Sequence, residues 1–157
     1  MTVFIDADGC PVVKETELIC QQYSINLAVM CDTNHILNCN YGKVITVGAG
    51  ADAVDFELIN RCKPGDIVIT QDYGVAAMAL SRKCRCLNQN GLIYTDDNIS
   101  QLLYSRYVTK KIRSSSSKHH LKGPAKRKQS DDESFRKSFL KLIEISIKEQ
   151  RVYQNNK

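Results

Sequence analysis

The stretch FIDADGCP, residues 4–11, sets two carboxylates two positions apart directly after the apolar run Val3-Phe4-Ile5. That run reads as a short buried strand. In a strand, residues i and i+2 project from one face, so Asp6 and Asp8 are expected to point into a common space. Two ionised carboxylates that close repel each other unless a cation or a proton lies between them. One reading is a divalent-metal site at the carboxyl end of a strand. The other is a polar turn with Asp8-Gly9 as its turn residues. This stretch alone leaves both open.

The chain beyond it alternates between two periods. Pro11 suits the first turn of a helix, and Val12, Leu18 and Ile19 supply an apolar face as far as about Tyr23. Residues 26–31 read as a second strand, residues 32–42 as loop, and β-branched Lys43–Val47 as a third strand. From Ala51, apolar residues at 54, 58 and 62 recur at helical spacing until Pro64-Gly65 turns the chain. Ile67–Thr70 is the clearest buried strand. Val75–Arg82 reads as helix, Cys84–Leu87 and Leu92–Tyr94 as strands. Asp96-Asp97-Asn98 offers caps for a helix carrying Ile99, Leu102 and Leu103. Residues 113–134 read as a basic, Ser-rich mobile loop. Phe135, Phe139, Leu142, Ile143 and Ile147 then mark a last amphipathic helix. Strands alternating with helices predict an α/β three-layer sandwich with a mostly parallel central sheet flanked by helices.

On such a sheet the acids fall into place. Asp6, Asp8 and Asp72 follow strands. Asp52 and Asp55, at i and i+3, open a helix that follows a strand, on the same edge. Asp66 sits at the other end of the strand preceding Asp72. Six residues at about 3.3 Å each separate the two by about 20 Å, so Asp66 reads as a turn residue outside any shared site. Carboxylates converging without a basic residue among them call for a hard cation, Mg²⁺ or Mn²⁺, able to activate water and neutralise a phosphodiester in its transition state.

The 157 residues suit one domain, and 43% hydrophobic with 25% charged residues is ordinary globular composition. No apolar run is long enough to span a membrane, and the N-terminus does not read as a signal peptide, so a cytoplasmic protein is expected. Seven cysteines and three histidines show no disulfide-framework or zinc spacing, and the thiols are expected buried and reduced. The net charge of +5 is uneven. Residues 1–97 carry 7 Lys/Arg against 12 Asp/Glu, residues 98–130 carry 9 against none, and residues 131–157 carry 6 against 5. An acidic body joined to a basic segment predicts RNA or another nucleic acid held near the acids. Arg106, Lys110 and Arg113 fall on one helical stripe, extended by Lys122, Lys126, Arg127 and Lys128 as candidate substrate contacts. Tyr104 and Tyr107 lie beside them, either to contact RNA or to pack in the core.

The ordered set DADGCPV, GADAVDFELI, GDIVITQDYGVA, GLIYTDDNI and KGP resembles the bacterial YaiI/YqxD family over residues 3 to about 145. That family is similar to PIN-like (PilT N-terminus) domains, which include metal-dependent ribonucleases. The resemblance implies a PIN-like α/β core over residues 1–113, a basic flexible segment over 114–130 and a C-terminal helix over 131–150 packing back on the core. Asp6, Asp55 and Asp72 are the catalytic residues this resemblance supports; the shared sheet edge adds Asp8 and Asp52, so Asp6, Asp8, Asp52, Asp55 and Asp72 are the expected metal ligands. Asp6 matches the acid ending the first strand, Asp52 or Asp55 the acid on a mid-chain helix, and Thr70 with Asp72 a Thr-x-Asp after the fourth strand, with Thr70 toward substrate. Gly74 stands where many PIN domains carry another acid. FIDADGCP is also similar to the Asp-x-Asp-Gly-Thr opening of haloacid-dehalogenase phosphatases, with Cys10 in place of the Thr. A further alternative is an RNA-binding protein that keeps the fold without turnover.

Overall fold

The computed structural model describes residues 1–33, 38–48, 50, 52–115 and 126–155. The chain runs β1 (Thr2–Asp6), α1 (Val13–Gln22), β2 (Asn26–Asp32), β3 (Lys43–Val47), α2 (Ala53–Arg61), β4 (Ile67–Ile69), α3 (Tyr73–Ser81), β5 (Arg85–Leu87), β6 (Ile93–Tyr94), α4 (Asp96–Ser115) and α5 (Gln129–Asn155). The six strands form one sheet in the order β3-β2-β1-β4-β5-β6. All pairings are parallel except β5 with β6.

Helices cover both faces, which is why the central strands are apolar throughout. Val3, Ile5, Leu27, Val29, Ile67 and Ile69 point to one side, where Ile19 and Cys20 of α1 and Phe135, Phe139, Leu142 and Ile143 of α5 close over them. Phe4, Ala28, Met30, Val68 and Cys86 point to the other, against Val54 and Leu58 of α2, Val75, Ala76 and Ala79 of α3, and Ile99 of α4. The chain is thus an α/β three-layer sandwich.

Several local expectations change. Leu18 is exposed, and the inward face of α1 carries Thr16, Glu17, Ile19 and Cys20 instead. Glu17 is buried because its carboxylate accepts the backbone N–H groups of Asn40 and Tyr41, tying the loop before β3 to α1. Helix α4 continues to Ser115, and α5 begins at Gln129, both inside the stretch read as loop. The early start of α5 has a local cause: the Asp131 carboxylate accepts the Lys128 N–H at 2.8 Å, as an N3 acid does for a helix N-cap. Residues 116–125, the centre of the expected mobile segment, lie outside the described residues.

All seven cysteines are free thiols, five of them buried. Among the described residues, no helix is long and apolar enough to cross a membrane.

Candidate active site at the carboxyl edge of the sheet

Strand order fixes where a ligand goes. β1 has β2 on one side and β4 on the other, so the chain reverses direction of travel across the sheet between β1 and β4. The carboxyl ends of the strands at such a switch point form the crevice in which open α/β sheets bind ligands. Asp6 closes β1, and Thr70 follows β4. The β1–β4 register pairs Ile5 with Ile69, so the next residues, Asp6 and Thr70, face each other on one side of the sheet.

Thr70 is fully buried and uses its hydroxyl twice. It donates to Asp6 Oδ2 at 3.1 Å and accepts the Asp72 N–H at 3.1 Å. Its carbonyl accepts the Tyr94 hydroxyl at 3.3 Å. Thr70, expected toward substrate, lies out of reach of solvent and ties Asp6 to the turn into α3. Gln71 adds a tie across the crevice, donating to the Gly9 carbonyl at 3.3 Å.

Burial raises the Asp6 carboxyl to about 6; the Thr70 hydrogen bond pulls against this, while Asp55 and Asp8 push the same way by repulsion. Asp55, in the first turn of α2, is also raised, first by burial and then by Asp72, Asp52 and Asp8. Asp6 thus feels Asp8 and Asp55, and Asp55 feels Asp8, Asp52 and Asp72, along one edge of the sheet. Asp52 is the exposed residue preceding α2, in left-handed backbone (φ 60°) and without a side-chain capping bond. Asp8 Oδ1 accepts the Asp32 N–H at 3.4 Å. Asp32, at the end of β2, is a sixth acid of this edge; its place one residue past the apolar run was the sequence signal for it.

Asp72 differs from the rest. Burial works to raise it, but hydrogen bonds from Arg106, Val75 and Gly74 win and hold it below the usual carboxylate value. Its Oδ1 caps α3, accepting the N–H groups of Gly74 at 2.7 Å and Val75 at 3.2 Å. Its Oδ2 receives Arg106 Nη1 at 2.8 Å. The expectation of acids with no basic residue among them is thus corrected by a cation that α4 delivers from 34 positions away. Asp66 lies at the opposite edge, 6% exposed, accepting the N–H groups of Thr2 at 2.7 Å and Lys63 at 2.9 Å.

The cations split similarly. Lys110 is exposed one turn after Arg106 on α4. Arg127, a candidate substrate contact, is engaged within the chain: it donates to Asp132 Oδ1 at 2.7 Å, Asn90 Oδ1 at 2.8 Å and the Gln89 carbonyl at 2.8 Å. Lys126 and Lys128 are exposed. Arg113 lies on α4, its side chain outside the described residues, and Lys122 lies outside them altogether. Tyr104 and Tyr107 are 68% and 61% exposed and do not pack in the core.

The donor set suits a hard cation in chemistry, since every candidate ligand atom is a carboxylate oxygen. Among the described residues, no three His, Cys, Asp or Glu side chains converge to hold one ion by themselves. Mg²⁺ and similar ions do not need that: they keep several waters and bind through one or two carboxylates. The residues therefore fit an ion that is largely hydrated.

Fold and edge together define an α/β protein with an acidic site at the switch point of its sheet. The family model described as "Uncharacterized BCR, YaiI/YqxD family" matches residues 4–145, and the chain belongs to that family. It is 52% identical over 143 residues to a UPF0178 protein of Clostridium acetobutylicum, covering 91% of this chain and 97% of the relative. A UPF0178 protein of Exiguobacterium sibiricum is 48% identical over 143 residues, covering 91% and 96%. One of Alkaliphilus oremlandii is 41% identical over 155 residues, covering 99% of each chain. No solved structure matches the chain.

Proposed function

We propose that this protein is a PIN-like nuclease that cleaves RNA with the help of Mg²⁺ or Mn²⁺. The observation that carries the reading is the half-buried Asp6 at the β1–β4 switch point, with Asp55 and Asp8 repelling it and Thr70 hydrogen-bonded to it. Acids held this close without mutual benefit to the fold are a cost that a bound cation removes. The positions of Asp6, of Asp52 or Asp55, and of Thr70-x-Asp72 resemble those of PIN-like domains and support that reading. When bound, the ion would supply an activated water and neutralise developing phosphate charge. Asp6, with Asp8 or Asp55 beside it, would hold the ion, and water would complete its shell. Asp52 stands at the rim, and Asp72 offers Oδ2 once Arg106 leaves it.

The test is a Mn²⁺ titration by calorimetry, beside cleavage of single-stranded RNA, with wild type and Asp6→Asn. The reading expects Asp6→Asn to weaken Mn²⁺ binding at least tenfold and to abolish cleavage while keeping the fold. Wild-type protein that neither binds Mn²⁺ nor cleaves RNA overturns it.

The Arg106–Asp72 ion pair favours a second reading, an RNA-binding protein without turnover. There a resident arginine neutralises the edge in place of a metal. RNA binding insensitive to Mn²⁺ and to Asp6→Asn would select it.

A further inference from the structure

Beside the acidic edge, between α3 and α4, lies an open cleft of about 670 Å³ lined by Gln71, Tyr73, Ser105, Arg106, Thr109 and Lys110, together with Leu102. Its character is the reverse of its neighbour's. It holds two cations, an amide, two aliphatic hydroxyls and an aromatic ring, and no carboxylate lines it. Arg106 and Lys110 are one helical turn apart and so address the same groove.

Arg106 stands on the border between the two regions. Its guanidinium lies 5.8 Å from the centroid of the Tyr73 ring, and Nη1 reaches Asp72 Oδ2. The Arg106 side chain is 55% exposed and that of Asp72 37%. An ion pair so open to water is weak. A phosphodiester presents two oxygens to a guanidinium in a matching fork and competes readily for it. Asp72 Oδ1 remains committed to the α3 cap, so Oδ2 is the oxygen released when Arg106 moves.

The geometry points to this cleft as the backbone-phosphate subsite for a single-stranded nucleic acid, with Arg106 and Lys110 as its phosphate ligands. Arg106 is a displaceable latch: its transfer from Asp72 to phosphate opens Oδ2 to a cation, so nucleic acid and metal bind cooperatively. The inference rests on the nucleic-acid reading above and deepens it.

Binding is measured by fluorescence anisotropy of a labelled oligouridylate methylated at its 2′ hydroxyls, across salt concentrations and with EDTA present. Arg106→Ala and Lys110→Ala should each weaken binding about fivefold at low salt and lower the log–log salt slope by about one. Lys14→Ala, an exposed cation on α1 across the sheet, should change neither. Mn²⁺ binding is followed separately by electron paramagnetic resonance. Arg106→Ala should bind Mn²⁺ several-fold more tightly than wild type without RNA. The methylated oligonucleotide should tighten Mn²⁺ binding to wild type but not to Arg106→Ala. Wild-type affinity and slope in both cleft variants overturn the subsite, and equal Mn²⁺ affinity in wild type and Arg106→Ala overturns the latch. Either failure beside Asp6-dependent cleavage leaves the nuclease reading standing; failure of wild type to bind the oligonucleotide at low salt removes both.

Discussion

Asp6 illustrates how one residue carries a functional signal as a stability cost. Its folded value is about 6 against 3.8 for an unperturbed aspartate. Between those values the folded protein holds a proton that the unfolded chain has lost, so stability falls as pH rises through that window and stays lower above it. Asp6→Asn keeps an acceptor for Thr70 and removes the charge. It should raise metal-free stability at pH 7 by on the order of 2 kcal/mol, and leave it unchanged at pH 4. Thermal melts at the two pH values check this, and a loss of stability at pH 7 would mark Asp6 as a structural acceptor. Asp66 makes the contrast. It is buried at the opposite edge with a backbone N–H on each carboxylate oxygen. Asp66→Asn turns an amide NH₂ toward one of those donors and should cost about 2 kcal/mol by denaturant unfolding. Mn²⁺ affinity should stay at the wild-type value.

At the scale of elements, the start of α5 is locked to the β5–β6 turn. Gly91 has φ +83°, and a Cβ there would stand 2.4 Å from the Ser134 carbonyl oxygen. Asn88 Oδ1 shapes the same turn by accepting the N–H groups of Asn90 and Leu92, both at 2.9 Å. Arg127 then grips it through Gln89 and Asn90 while holding Asp132 of α5. Gly91→Ala must push α5 away and adopt a backbone that alanine disfavours, so it should destabilise by about 1–3 kcal/mol. Arg127→Ala should lower stability by about 1 kcal/mol, since its bonds are half open to water. It should leave the salt slope of RNA binding at the wild-type value, because its guanidinium is already engaged. Chemical unfolding beside the anisotropy assay separates the two effects.

For the whole molecule, α5 is the second half of one layer. Phe135 and Phe139, stacked with ring centroids 5.6 Å apart, are fully buried against the face of Ile5, Ile67, Ile69 and Leu87. A chain ending before Gln129 would leave that face to water, and circular dichroism should find it unfolded. Phe139→Ala, a milder form of the same loss, should cost about 3–5 kcal/mol. The layer on the other side carries the acids and the cleft, so these changes act on the site only through the fold.

The alternation of apolar strands and amphipathic helices is local, and it made the α/β class legible in the sequence. The same locality put Asp6, Asp8, Asp52, Asp55 and Asp72 on one sheet edge, because an acid's position at the end of a strand follows from spacing alone. Asp66 was separable from Asp72 by the length of a strand. Other facts depend on what meets across the chain. Leu18 is exposed and Glu17 buried because a distant loop presents two N–H groups to Glu17. Arg127 is engaged within the chain because the β5–β6 turn presents Gln89 and Asn90 to it. Arg106 neutralises Asp72 because α4 packs along α3. Local pattern tells a side chain which way to face; only tertiary structure supplies the partner, and partners 20 to 40 residues apart in sequence leave no period to read.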